Sequence, residues 1–143
     1  MKKLCFLMLL TAGLFACRST SVEKKSDEIK YKETVIINEV PRTTIQFFDV
    51  SDSRCPEGGE CIWAGNATID LALSGVTTEG GLTSHVKMCL GACDKKFKIA
   101  DTLDYEFTGQ QYRFILTAVN PYPLSESSNE KEDYAIVLQI EKK

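Results

Sequence analysis

One histidine, one tryptophan and four prolines are all that the 143 residues hold of those types, and the shortage excludes several classes of function. With His85 alone to act as a base, any Ser-His-Asp or Cys-His arrangement would have to run through it. Set between Ser84 and Val86 on an alternating stretch, it reads instead as an exposed structural histidine. Neither a glycine-rich phosphate loop nor a dinucleotide fingerprint occurs. Cationic charge is also short, at 17 Lys and Arg against 20 Asp and Glu. That balance argues against nucleic acid as a partner, because such binding relies on clustered basic side chains. No stretch has the length and period of an ordinary helix, and no internal repeat is present. The chain is long enough for one domain with one core.

What is present begins with an address. Met1-Lys2-Lys3 followed by the apolar residues 4–15 is a charged region and a short hydrophobic region, too short to cross a bilayer as a stable helix. It reads as a signal peptide over residues 1–16. Leu14-Phe15-Ala16-Cys17 resembles the bacterial lipobox, with Phe15 bulkier than the small residue usual at its position. The resemblance implies cleavage before Cys17 and acylation of that residue, hence a lipid anchor in the bacterial cell envelope, at the outer membrane or cell surface rather than the inner membrane. Each buried methylene contributes about 0.8 kcal/mol, so two or more acyl chains would hold the protein to the membrane without any protein segment entering it. Loss of Lys2 and Lys3 with the leader takes the formal charge from −3 to −5. Residues 17–32 are polar, mixed in charge and poor in large apolar groups, and are expected to form a flexible tether.

From residue 33 the texture changes to β-branched and aromatic runs separated by turn residues. Residues 34–40 and 44–50 are expected strands. In the second, Ile45 and Phe47 alternate until Phe48 and Val50 shift the phase, as a bulge would allow. Residues 67–74 place Ile69, Leu71 and Leu73 on one face and Thr68, Asp70 and Ser74 on the other, the pattern of a half-buried antiparallel strand. After a loop at 75–81, residues 82–88 are expected to put Val86 and Met88 inward, until Cys89-Leu90-Gly91-Ala92-Cys93 interrupts them. Phe97 with Ile99, then residues 111–119, and last Tyr134, Ile136, Leu138 and Ile140 complete the set. The expected fold is all-β, an antiparallel β-sandwich or small barrel of about seven strands spanning residues 33–143, with disulfide-closed loops.

The most particular stretch is Asp52-Ser53-Arg54-Cys55-Pro56-Glu57-Gly58-Gly59-Glu60-Cys61-Ile62-Trp63-Ala64-Gly65-Asn66. With Cys5 in the leader and Cys17 acylated, Cys55, Cys61, Cys89 and Cys93 remain. In an exported chain four thiols are most simply two disulfides; three connectivities exist, and proximity favours Cys55 with Cys61 and Cys89 with Cys93. Glu57-Gly58-Gly59-Glu60 would form an exposed tip. Two carboxylates there suggest glycosidase chemistry but lack the burial that would separate their pKa values. Trp63 is expected to pack over the disulfide and the sheet end. Arg54 is expected to stack on Trp63 or pair with Asp52. Together Arg54, Glu57, Glu60 and Trp63 make a candidate recognition loop for a protein or glycan.

Asp52-Ser53-Arg54-Cys55-Pro56, Cys61-Ile62-Trp63-Ala64-Gly65 and the later Pro121-Tyr122-Pro123 together resemble a family of small bacterial secreted proteins and lipoproteins of unknown function. The resemblance runs from about residue 44 to the C-terminus. It implies no catalytic residues, and Cys89 and Cys93 fall outside its pattern. No cofactor or metal is expected. The reading is a binding or structural module rather than an enzyme. Two alternatives are a protease inhibitor, whose disulfide-closed loop would resist cleavage by being preorganised, and a thiol redox or metal-binding factor using the cysteines. The zinc version lacks the short cysteine spacing of zinc ribbons. Asp101-Thr102-Leu103 resembles the O-glycosylation motif of Bacteroidetes secreted proteins, and Asn66-Ala67-Thr68 matches an N-glycosylation sequon.

Overall fold

The structure, a computed structural model, describes residues 26–125 and 129–143. The expected signal peptide, Cys17 and the first part of the expected tether lie outside the described residues. Nine strands occur among those described: β1 (Ser26–Lys30), β2 (Thr34–Asn38), β3 (Thr43–Asp52), β4 (Asn66–Thr77), β5 (Gly80–Cys93), β6 (Lys96–Lys98), β7 (Asp101–Phe107), β8 (Gln110–Asn120) and β9 (Ala135–Lys142). They form two antiparallel sheets, one of order β2-β3-β4-β5-β6 and one of order β1-β9-β8-β7. The fold is the all-β sandwich that period-two alternation requires.

Alternation explains the core. Ile45 and Phe47 on β3, Ile69, Leu71 and Leu73 on β4, and Met88 on β5 face Tyr112, Phe114 and Leu116 on β8 and Ile136 and Leu138 on β9, in one buried cluster. Fully burying a side chain of this kind contributes roughly 1.5–3 kcal/mol. The expected phase shift on β3 is a register break between Phe47 and Asp49. It leaves Phe48 outside while Phe47 and Val50 both stay in the core. A second break on β8, between Leu116 and Ala118, keeps Val119 buried in the same way.

Three boundaries differ from those expected. The polar segment assigned to the tether through residue 32 is strand from Ser26, antiparallel to β9 with Ser26 opposite Gln139 and Lys30 opposite Ala135. Ile29 is 1% exposed, and Tyr31, just past the strand, packs edge-on against Phe47, so these two side chains and a ladder of backbone hydrogen bonds dock it. The domain therefore reaches back at least to Ser26. Residues 75–81 are mostly strand, with Gly75 opposite Leu82 and Thr77 opposite Gly80. Cys89 to Cys93 does not interrupt β5 but belongs to it. The strand bends sharply there: the Cα atoms of Cys89 and Cys93 lie 6.1 Å apart, where four extended steps would span about 13 Å. Gly91, at φ 95°, supplies the bend.

The sandwich has two distinct ends. At one, β3 leaves its sheet at Asp52, β4 enters at Asn66, and β5 bends at Gly91, all beside the β8–β9 connection. At the other, Thr43 and Thr108 hydroxyl oxygens 3.2 Å apart tie the two sheets together, next to the β2–β3, β4–β5 and β7–β8 turns.

Candidate functional site

The loop between β3 and β4 stands on a buried ion pair. Asp52 ends β3, and its carboxylate accepts hydrogen bonds from the Arg54 backbone N–H at 3.0 Å, from Arg54 Nε at 2.9 Å and Nη2 at 2.6 Å, and from the Tyr134 hydroxyl at 3.0 Å. Arg54 also donates to the Pro121 carbonyl at 3.1 Å and lies over the Tyr122 ring at 4.5 Å. The two side chains are 9% and 4% exposed. A buried pair of this kind is tolerable because both carboxylate oxygens accept two bonds each and Nε and Nη2 of the guanidinium are both engaged. Burial, with the Asp52 carboxylate close by, pushes the Tyr134 phenol above its ordinary pKa, so it remains a donor at any physiological pH. The pairing with Asp52 is one of the two partners expected for Arg54. The stack is on Tyr122, not Trp63, and Arg54 is thus a buried clamp rather than part of a recognition surface.

Above this base the loop is pinned on two sides. Backbone bonds from Ser53 N–H to Asn66 O at 2.7 Å and from Cys55 N–H to Ala64 O at 2.8 Å extend the β3–β4 ladder. On one flank Glu57 N–H donates to Pro123 O at 3.0 Å, making a parallel bridge between Glu57 and Leu124. On the other, Ala92 N–H donates to Gly65 O at 2.8 Å and the Asn66 side-chain amide to Ala92 O at 3.0 Å. Gly65 must be glycine: at φ 67°, a Cβ would sit 1.8 Å from the Ser53 carbonyl oxygen. Asp-Ser-Arg-Cys-Pro and Cys-Ile-Trp-Ala-Gly, neighbours in one loop, thus meet the distant Pro-Tyr-Pro in one clamp.

Two disulfides close this end, Cys55–Cys61 and Cys89–Cys93, the pairing that proximity favours. All four sulfurs are held in those bonds, so no thiolate is on offer to a metal or a reactive-thiol mechanism in this oxidation state. The second hairpin is fixed by Asp101, which accepts from the Cys89 backbone N–H at 2.9 Å and from Lys98 Nζ at 2.8 Å.

What projects beyond the clamp is partly as expected and partly not. Glu57, Gly58, Gly59 and Glu60 form the exposed tip. Trp63 does not pack over the disulfide or the sheet end; it is 65% exposed, and Ile62 beside it is fully exposed at 105%. Of Phe97 and Ile99, read as alternating strand residues, only Phe97 lies on a strand, the three-residue edge strand β6, and Ile99 falls just past its end; both are exposed at this end. His85 is remote from the loop, 2.8 Å from Asp70 and edge-on to Phe48. Neither contact is the serine or cysteine that a Ser-His-Asp or Cys-His arrangement would need. Comparison with protein-family models, curated proteins and solved structures finds no match to this chain.

Proposed function

We propose that this chain is a bacterial envelope protein anchored through acylated Cys17, and that its β domain is a binding module presenting Ile62 and Trp63 to a protein or glycan partner. The observation that carries the reading is an isoleucine and a tryptophan left in water on a loop held by a buried ion pair, ladder bonds on both flanks and a disulfide. Exposed apolar side chains on a mobile loop would lose much entropy on docking. Held rigid, they lose little, and tryptophan is among the residues that most often dominate binding energy. Its ring also suits either an apolar protein pocket or the face of a sugar. Glu57 and Glu60 flank the contact and would set partner charge.

The test is capture of envelope components by the immobilised domain, compared across variants. Trp63→Ala is expected to melt within about 0.5 kcal/mol of wild type, as exposed substitutions do, yet to lose capture. Glu57→Ala with Glu60→Ala is expected to weaken it. Retention of full capture by both variants would rule the loop out as a recognition element.

A further inference from the structure

The direction of β1 bears on how an anchored domain would stand on its membrane. β1 runs from Ser26, opposite Gln139, to Lys30, opposite Ala135, and Tyr31 N–H continues to Tyr134 O. Ala135 and Tyr134 belong to the disulfide end. β1 therefore starts at mid-sheet, Gln139 lying opposite Ile115 and three residues short of the end of β9, and its first residue faces the other end, the one formed by the β2–β3, β4–β5 and β7–β8 turns. Nine residue steps separate Cys17 from Ser26, a reach of at most about 30 Å even when fully extended. That end carries its own exposed apolar groups: Val76, 60% exposed, which with Pro41, Thr77, Thr78, Thr108 and Gly109 lines an open depression, and Val40, 88% exposed, next to Pro41 in the chain. Arg42 is exposed beside them, as are Glu39 and Glu79, so this is not a cationic patch and apolar contact has to supply the attraction.

Resting on the acylated Cys17 proposed above, we infer that the Val40–Val76 end lies against the lipid surface and the Ile62–Trp63 end points away from it. Val40 and Val76 are then interfacial contacts with the bilayer that holds the acyl chains, and the loop meets its partner beyond the membrane rather than in it. The reverse pose would make the short connection double back along β1, about 13 Å of strand, and then pass the loops of the disulfide end.

Trp63 is the sole tryptophan, which makes depth measurable in the full mature, acylated protein. The protein is bound to phosphatidylcholine vesicles containing lipids brominated on their acyl chains, and tryptophan emission is read alongside flotation of the vesicles. The expected result is flotation with Trp63 emission unquenched, and loss of emission when the tryptophan is moved, as Trp63→Phe with Val40→Trp and, separately, Trp63→Phe with Val76→Trp. Flotation with Trp63 quenched, or with both relocated tryptophans unquenched, would overturn the orientation while leaving the anchor intact. Failure of the acylated protein to float would overturn the anchor and the orientation with it.

Discussion

Arg54→Ala is the substitution whose cost can be worked most directly from the geometry. It removes three of the hydrogen bonds in the clamp, two to Asp52 and one to Pro121, together with the stack on Tyr122. It also leaves the Asp52 carboxylate, 4% exposed, with only a backbone N–H and the Tyr134 hydroxyl to solvate its charge. Breaking one partner of a buried pair costs about 3–5 kcal/mol, most of it the penalty of the charge left behind. For a domain of this size each kcal/mol moves the midpoint by roughly 3–5 °C, so the melt should fall by about 10–20 °C. Arg54→Lys should recover only part of the loss, because an ammonium cannot make the two parallel bonds or lie flat on a ring. The assay is thermal unfolding by circular dichroism of wild type, Arg54→Ala, Asp52→Ala and the double variant. Coupling of at least about 2 kcal/mol is expected between the two sites. A double variant that loses the simple sum of the single losses would refute the argument that the pair is one buried unit, and so would an Arg54→Ala protein that melts with wild type.

Two further outcomes follow from the glycines and the buried phenols. Gly65→Ala should cost more than about 2 kcal/mol in a urea titration, combining positive φ with a clash against Ser53, whereas Gly109→Ala, at φ 77° with open space around it, should cost about 1 kcal/mol from conformation alone. Equal losses would mean that the Ser53–Gly65 contact is relaxed in solution. Burial raises the phenol pKa of Tyr112 and Tyr134 above the ordinary 10.0. Their contribution to stability is therefore complete below pH 10 and should be lost as pH rises from about 10 through the folded values, a decline visible in alkaline denaturation and shallower in Tyr134→Phe.

The strands that were legible are those whose burial shows in their own residues. β4, with Ile69, Leu71 and Leu73 in phase, is plain from the sequence, and so is the phase shift at Phe48. β7 is not among the about seven strands expected, although it follows a strict alternation, with Leu103, Tyr105 and Phe107 against Thr102, Asp104 and Glu106. Its acidic residues disfavour strand by propensity, and their compensation is remote: Arg113 and Lys143 hold Asp104 far below the usual carboxylate range. β1 has only Ile29 to show, and its pairing depends on β9. In the site, the Asp52–Arg54 pair is two residues apart and could be anticipated. Tyr122 as the stacking partner could not, since that contact depends on where the β8–β9 connection crosses the loop. Trp63 shows the limit most clearly, at 65% exposed, because whether a tryptophan packs inward depends on how its loop is held against the rest of the fold and not on its neighbours in sequence.

The pairing of β1 with β9 also orders events in time. A chain is made N-terminus first, so the earliest of the described strands, β1, has as its neighbour the latest, β9. β3, β4 and β5 can zip together as a meander, and β7 with β8 as a hairpin, while Ser26–Lys30 waits without a partner. Such a distant closure is slow in entropic terms, and it means that the four-stranded sheet cannot be completed on a partial chain. A truncation that removes only β9 would release β1 as well, so that a lesion at one end of the sequence frees a strand more than a hundred residues away from it.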